Sequence, residues 1–226
     1  MAGEKTVKRK LSNAQKKEYM EGAKKYFKRI NFEGDTYYTI FNEAYVGYLA
    51  NQLISAELGA NKDKRKKTED WLDLFAKREE NRQHMRKDCL VAITFATMFL
   101  ESVIWDYAAI NTSQNLAKEH LSKLDLVGKW KVVPKLVNGK EVRIGSKAIG
   151  LLKKLNKERN KIVHSKSKPV PDSYDEYMEY LNKAPDITLD GAIECMKECI
   201  KELQKVDTTS YWFLNTETIQ KEIPEL

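Results

Sequence analysis

The chain has 226 residues, 42% of them hydrophobic, a length that suits one domain, or one domain with an attached arm, and a core that needs no staples. Five Pro and ten Gly exclude a low-complexity or mainly disordered chain, and three Cys without a framework spacing exclude a disulfide scaffold. The formal net charge of +7 is carried by residues 1–30, which hold ten Lys/Arg against three Glu.

In chain order, Ser12 can cap a Lys-rich helix running to about Ile30, read as a basic N-terminal helical arm over residues 1–30. Residues 31–226 read as a single helical domain. After Glu33-Gly34-Asp35, residues 36–58 place Tyr38, Phe41, Tyr45, Tyr48, Leu49 and Leu53 at helical spacing, with Gly59 as the expected C-cap. A helix starting at Thr68 is expected to continue in charged form to about Lys87. The most apolar helix follows, over residues 88–110, and forms the expected centre of the bundle. Its apolar run, 89–100, is too short to span a bilayer. A shorter helix is expected over residues 113–124. In residues 128–145 the pattern breaks: Asn138-Gly139 between Leu136-Val137 and Glu141-Val142 signals a small hairpin or loop inserted between helices. Ser146 caps the next helix, from Lys147 to about Ser165, ended by Pro169 and Pro171. Residues 172–182 and 189–206 supply two more, and Tyr211-Trp212-Phe213-Leu214 form an aromatic cluster that packs or serves a dimer contact. The fold class expected is therefore all-α, a helical bundle with a small β-hairpin or loop insertion around residues 128–145.

Cys89, Cys195 and Cys199 read as buried thiols, because no histidine lies near the Cys195–Cys199 pair to complete a zinc site. Neither a Gly-rich phosphate loop nor a metal-ligand spacing is present, so no cofactor and no metal are expected. The beginning of the chain lacks the apolar segment of a secretory signal, and a cytoplasmic setting is expected. Residues 140–168 hold ten basic and two acidic side chains, whereas residues 169–226 hold five basic and thirteen acidic ones. A solvated helix face is the plainer reading of such a run; a concentrated basic segment in mid-chain suits a polyanion better.

The helix from Lys147 places Ala148, Leu151, Leu152, Leu155, Ile162 and Val163 on one side, with Arg159 near the middle of that stripe. A guanidinium there must find an anion or bear a desolvation cost. Asn160 and His164, four apart, are neighbours on one face, and Lys157, Lys161, Lys166 and Lys168 surround them as candidate RNA-binding side chains. The trio suits phosphodiester cleavage in RNA. Histidine moves protons near neutrality, arginine holds the non-bridging oxygens, and asparagine orients the imidazole or the substrate. A structural reading stands beside this one: Arg159 pairs with Glu101 or Asp106, and His164 is a hydrogen-bonded helix-end residue. Arg78 and His84 form an Arg-x5-His pair as well, in a polar helix expected at the surface.

Arg159-Asn160-Lys161-Ile162-Val163-His164 resembles the Arg-x(4–6)-His signature of the HEPN superfamily, with a polar residue directly after the arginine. The resemblance extends to the apolar helix containing Phe95-Ala96-Thr97-Met98-Phe99-Leu100-Glu101, to Leu151-Leu152-Lys153-Lys154-Leu155, and to Val163-His164-Ser165-Lys166, covering about residues 88–206. It implies a helical bundle that dimerises with two motif copies facing each other. The implied activity is that of a metal-independent endoribonuclease with Arg159, Asn160 and His164 catalytic, leaving 2′,3′-cyclic phosphate and 5′-OH ends. Many such proteins act as toxins or in anti-phage defence, some with a regulatory protein partner. In those silenced by a nucleotidyltransferase antitoxin, a tyrosine commonly follows two positions after the histidine. Lys166 stands there instead, so that mode of regulation is not expected. The alternative is a non-catalytic helical module of the same kind that binds RNA or a protein partner.

Overall fold

A computed structural model describes residues 33–60, 68–112, 117–143, 145–164, 173, 175 and 186–207. The arm at residues 1–30, the helix expected over 172–182 apart from two of its residues, the aromatic cluster at 211–214, and Lys166 and Lys168 lie outside them. Five α-helices and one short π-helical turn build the described part: α1 (Glu33–Ala60), α2 (Thr68–Asn111), the π turn (Ala117–Leu121), α3 (Leu126–Asn138), α4 (Lys147–Val163) and α5 (Leu189–Val206). Among the described residues there is no strand, and the all-α class holds.

α1 and α2 form an antiparallel hairpin. Tyr38 packs on Phe99 with ring centroids 5.6 Å apart, and Tyr37 on Phe95 at 5.9 Å. Further along, Asn51 donates to the Asp88 carboxylate at 3.2 Å, and the buried Asn81 amide donates to the Asn51 carbonyl at 2.9 Å and to Ser55 Oγ at 2.7 Å. These contacts explain why α2 is one continuous helix rather than two. No Gly or Pro interrupts residues 68–111, and the polar stretch before Asp88 has α1 as a partner. Gly59 is likewise inside α1 rather than its cap.

The second half of α2 is the centre of the bundle. Ala92, Ala96, Phe99, Leu100, Ile104, Tyr107 and Ala108 are fully buried among residues of the other helices. Its apolar stretch runs beyond residues 89–100 and by length and composition alone is sufficient to cross a membrane. In the bundle that same stretch supplies the core, and two acidic side chains interrupt it: Glu101, paired with Lys129, and the buried Asp106.

The hairpin expected around residues 128–145 is replaced by α3, a correction with three local causes. Asp125 caps the helix by accepting from Gly128 N at 2.6 Å. Trp130, Val133, Leu126 and Val127 bury one face against the core, and Trp130 Nε1 donates to the Leu100 carbonyl at 3.2 Å. Asn138-Gly139 ends a helix instead of turning a hairpin: Gly139 takes φ 77° and its N–H bonds to Lys135 O at 3.0 Å. Pro134 is accommodated inside α3, where packing outweighs its missing N–H. Residues 140–143, after the helix, form no strand.

α4 begins where expected, with Ser146 accepting from Ile149 N, and buries Ala148, Ile149, Leu152 and Leu155. α5 is capped by Thr188 and packs antiparallel to α4, with Ile193, Cys195, Met196, Cys199, Ile200 and Leu203 inward. The three cysteines are free thiols. Cys195 and Cys199 are buried and Cys89 is half-buried. Tyr45 donates to Asp190 at 2.7 Å, and Tyr107 donates to Asp207 at 2.7 Å, so α5 is tied at both ends to the α1–α2 hairpin.

Candidate functional site

The apolar stripe of α4 leaves the bundle before the helix ends. Leu152 and Leu155 are fully buried, Arg159 and Ile162 half-buried, and Val163 is 48% exposed. Arg159 thus stands where the stripe emerges, with a smaller desolvation burden than its wheel position implies. Its Nη1 donates to Asn160 Oδ1 at 3.1 Å. Neither carboxylate weighed as its partner takes that role. Glu101 binds the buried Lys129, whose ammonium also lies 5.8 Å from the Trp105 ring centre, and Asp106 receives Ser102. Among the described residues Arg159 has no acidic partner.

His164 caps α4. Its backbone has left helical values, with φ −108° and ψ 20°, and its N–H bonds to Asn160 O at 3.0 Å. The imidazole is exposed and makes no hydrogen bond among the described residues. Asn160, one turn earlier, is exposed on the same side. Five residues turn a helix by about 140° beyond a full revolution, so Arg159 and His164 of one chain diverge, while the Asn160 side chain bonds to Arg159.

A cleft of about 690 Å³ opens beside Asn160, between the start of α3 and the outer face of α4. Lys153, Asn156, Lys157, Asn160 and Lys161 form its α4 wall; Lys131 faces them from α3 above Asp125, Val127 and Gly128. The Asp125 carboxylate is turned to the helix start, where it receives Gly128 N.

Two of the four lysines expected to bind RNA are ion-paired here. Lys161 lies 2.7 Å from Asp186 and 2.9 Å from Glu158, and Lys157 lies 3.1 Å from Asp186. Glu158 also accepts Asp186 N at 2.9 Å, which fixes the segment before α5 against α4. Hydrogen bonds from Lys161 and then Lys157 hold the Asp186 carboxyl below its ordinary range, while Asp186 and then Glu158 hold the Lys161 ammonium above its own. The network is therefore intact from the unfolded carboxylate range, near pH 4, up to the lysine range, near pH 10. It weakens as pH falls through the lowered Asp186 value or rises through the raised Lys161 value.

The sequence reading missed Lys131, Lys153 and Asn156. Lys153, Lys157 and Lys161 recur every four residues, and this spacing alone puts them on one face. Lys131 joins them only through the packing of α3 on α4. The rival Arg-x5-His pair separates: Arg78 donates to the Leu58 carbonyl at the α1–α2 contact, and His84 is exposed beside Glu80 at 4.0 Å. No protein-family model, curated protein or solved structure matches this chain.

Proposed function

We propose that the protein is a metal-independent endoribonuclease of HEPN type, acting as a homodimer whose composite site is built from Arg159, Asn160 and His164 of two copies. The observation that carries this reading is the end of α4. An exposed imidazole, an exposed amide and an arginine without an acidic partner among the described residues are gathered within one and a half turns, beside a lysine-lined cleft. A guanidinium bonded only to a neutral amide remains available to an incoming anion.

In the proposed reaction the ribose 2′-oxygen attacks the adjacent phosphorus as its proton passes to an imidazole. The bond to the 5′-oxygen breaks, and that oxygen takes up a proton. The products are a 2′,3′-cyclic phosphate and a 5′-OH. Arg159 holds the non-bridging oxygens as negative charge grows on them, and Asn160 keeps Arg159 in place. The divergence of Arg159 and His164 on one helix, and the emergence of Ile162 and Val163 from the bundle beside them, support a second copy as the missing wall. Lys157 and Lys161, with Lys166 and Lys168 beyond the described residues, are the proposed contacts to the RNA backbone. The resemblance further suggests a toxin or anti-phage effector working in the cytoplasm, with a regulatory protein partner.

Arg159→Ala and His164→Ala are each expected to lower cleavage by at least about a hundredfold, with the helical circular dichroism unchanged. Light scattering on the wild type is expected to give a dimer mass; a monomer that cleaves contradicts the composite site. A second reading is a non-catalytic module binding RNA or a protein partner. It is favoured by Val132 and Leu136, 38% and 58% exposed one turn apart on α3. A dimer that binds RNA without cutting it is the result that selects this reading.

A further inference from the structure

We infer that the cleft between α3 and α4 is a sequence-independent seat for the sugar–phosphate backbone of single-stranded RNA, and that it leads the strand to His164. The inference rests on the ribonuclease reading and adds Lys131, Lys153 and Asn156 to the residues that reading uses.

The charge comes first. Lys131 and Lys153 face the cleft from opposite helices, and among the described residues neither has an acidic partner. Lys157 and Lys161 continue the α4 wall with exposed side chains, and both are held by the half-buried Asp186 carboxylate, with which a polyanion has to compete for them. The floor carries one acidic group, Asp125, whose carboxylate is turned to the start of α3 and receives Gly128 N, so the four lysines set the sign of the cleft. From Lys153 to Lys161 the α4 wall of the cleft runs eight residues, or about 12 Å, which is too long for a single phosphate and suits a strand laid along the helix, with His164 just under one turn beyond its end.

The lining then narrows the class of ligand. Val127 is the one apolar residue of any size in it, and none of its residues is aromatic. Bases have nothing to stack on, so the contacts fall on phosphate and sugar, with Asn156 and Asn160 offering both donors and acceptors. A peptide partner needs pockets for anchoring side chains, which this lining does not supply. The strand is single because attack by the 2′-oxygen in line with the leaving 5′-oxygen requires a backbone free to rotate. Any preference for sequence must accordingly arise outside the cleft.

The test is fluorescence anisotropy with the full-length His164→Ala protein and labelled oligouridylate and oligoadenylate of roughly twenty nucleotides, titrated across a range of salt. Both oligomers are expected to bind within about threefold of each other. The double variant Lys131→Gln/Lys153→Gln, in the same background, is expected to lower the slope of log K against log salt by about 1.4, and the affinity on the order of tenfold at ~0.1 M salt. Lys154→Gln, which removes an exposed charge outside the cleft, leaves the slope in place. Should the double variant lose its helical signal, Lys153→Gln alone is expected to lower the slope by about 0.7.

An unmoved slope in a folded variant overturns the proposal, as does a strong preference for one homopolymer that the double variant abolishes. Displacement of RNA by polyglutamate at lower concentration overturns it in favour of an acidic protein partner. RNA held by these lysines in a protein whose wild type cuts nothing retains the cleft and removes the nuclease. Cleavage by wild type with an unmoved slope does the reverse.

Discussion

Arg159 and His164 lie five positions apart and diverge around the helix, and their surroundings differ accordingly. Arg159 is half-buried at the edge of the core and bonded to Asn160, whereas His164 is free of the core. Truncating His164 should therefore change stability by no more than about 0.5 kcal/mol, so that loss of activity in His164→Ala reads as chemistry. Gly139 is the opposite kind of residue, exposed and without a functional role, yet held at φ 77° as the cap of α3. Gly139→Val is expected to cost about 1–2 kcal/mol in denaturant unfolding; an unchanged midpoint would show that α3 does not depend on that cap. Tyr107 gives a third expectation. Burial, and then its bond to Asp207, push its hydroxyl well above the usual tyrosine range. The raised value means that this contribution is complete below about pH 10 and is lost as pH rises toward the folded value. Tyr107→Phe should cost about 1.5–3 kcal/mol at neutral pH and should flatten the alkaline decline in stability.

At the level of elements, what could be read from the sequence followed from periodicity and caps. Ser146 and the stripe Ala148, Leu152, Leu155 gave α4 its start and its inward face, and for α5 the extent, residues 189–206, was legible. α3 was illegible because Gly128, Pro134 and Asn138-Gly139 are all local breakers, and only the burial of Trp130 and Val133 by distant residues overrides them. The candidate site was legible where it is local, in Arg159, Asn160 and His164. It was illegible where it depends on packing, as with Lys131 from α3, or on a distant carboxylate. Asp186, which occupies Lys157 and Lys161, falls in the acidic segment that follows the basic one. Asp186→Asn is accordingly expected to free Lys157, to leave Lys161 held by Glu158 alone, and to steepen the salt dependence of RNA binding by about 0.7 in slope. A shallower slope would mean that Asp186 positions these lysines rather than restraining them.

On the scale of the whole molecule, the other four α-helices among the described residues enclose the apolar half of α2, and the end of α4 stands clear of that enclosure with its polar trio. An arginine, an amide and an imidazole at one emergent helix end, next to a lysine-lined cleft, are the features on which the proposed RNA cleavage by two copies rests. The most direct measurement of that claim is cleavage of total RNA in the presence of EDTA, comparing wild type with His164→Ala and analysing the new ends. The account predicts cleavage by the wild type alone, with 2′,3′-cyclic phosphate and 5′-OH termini. Equal cleavage by both proteins, or a wild-type dimer that leaves RNA intact, would contradict it.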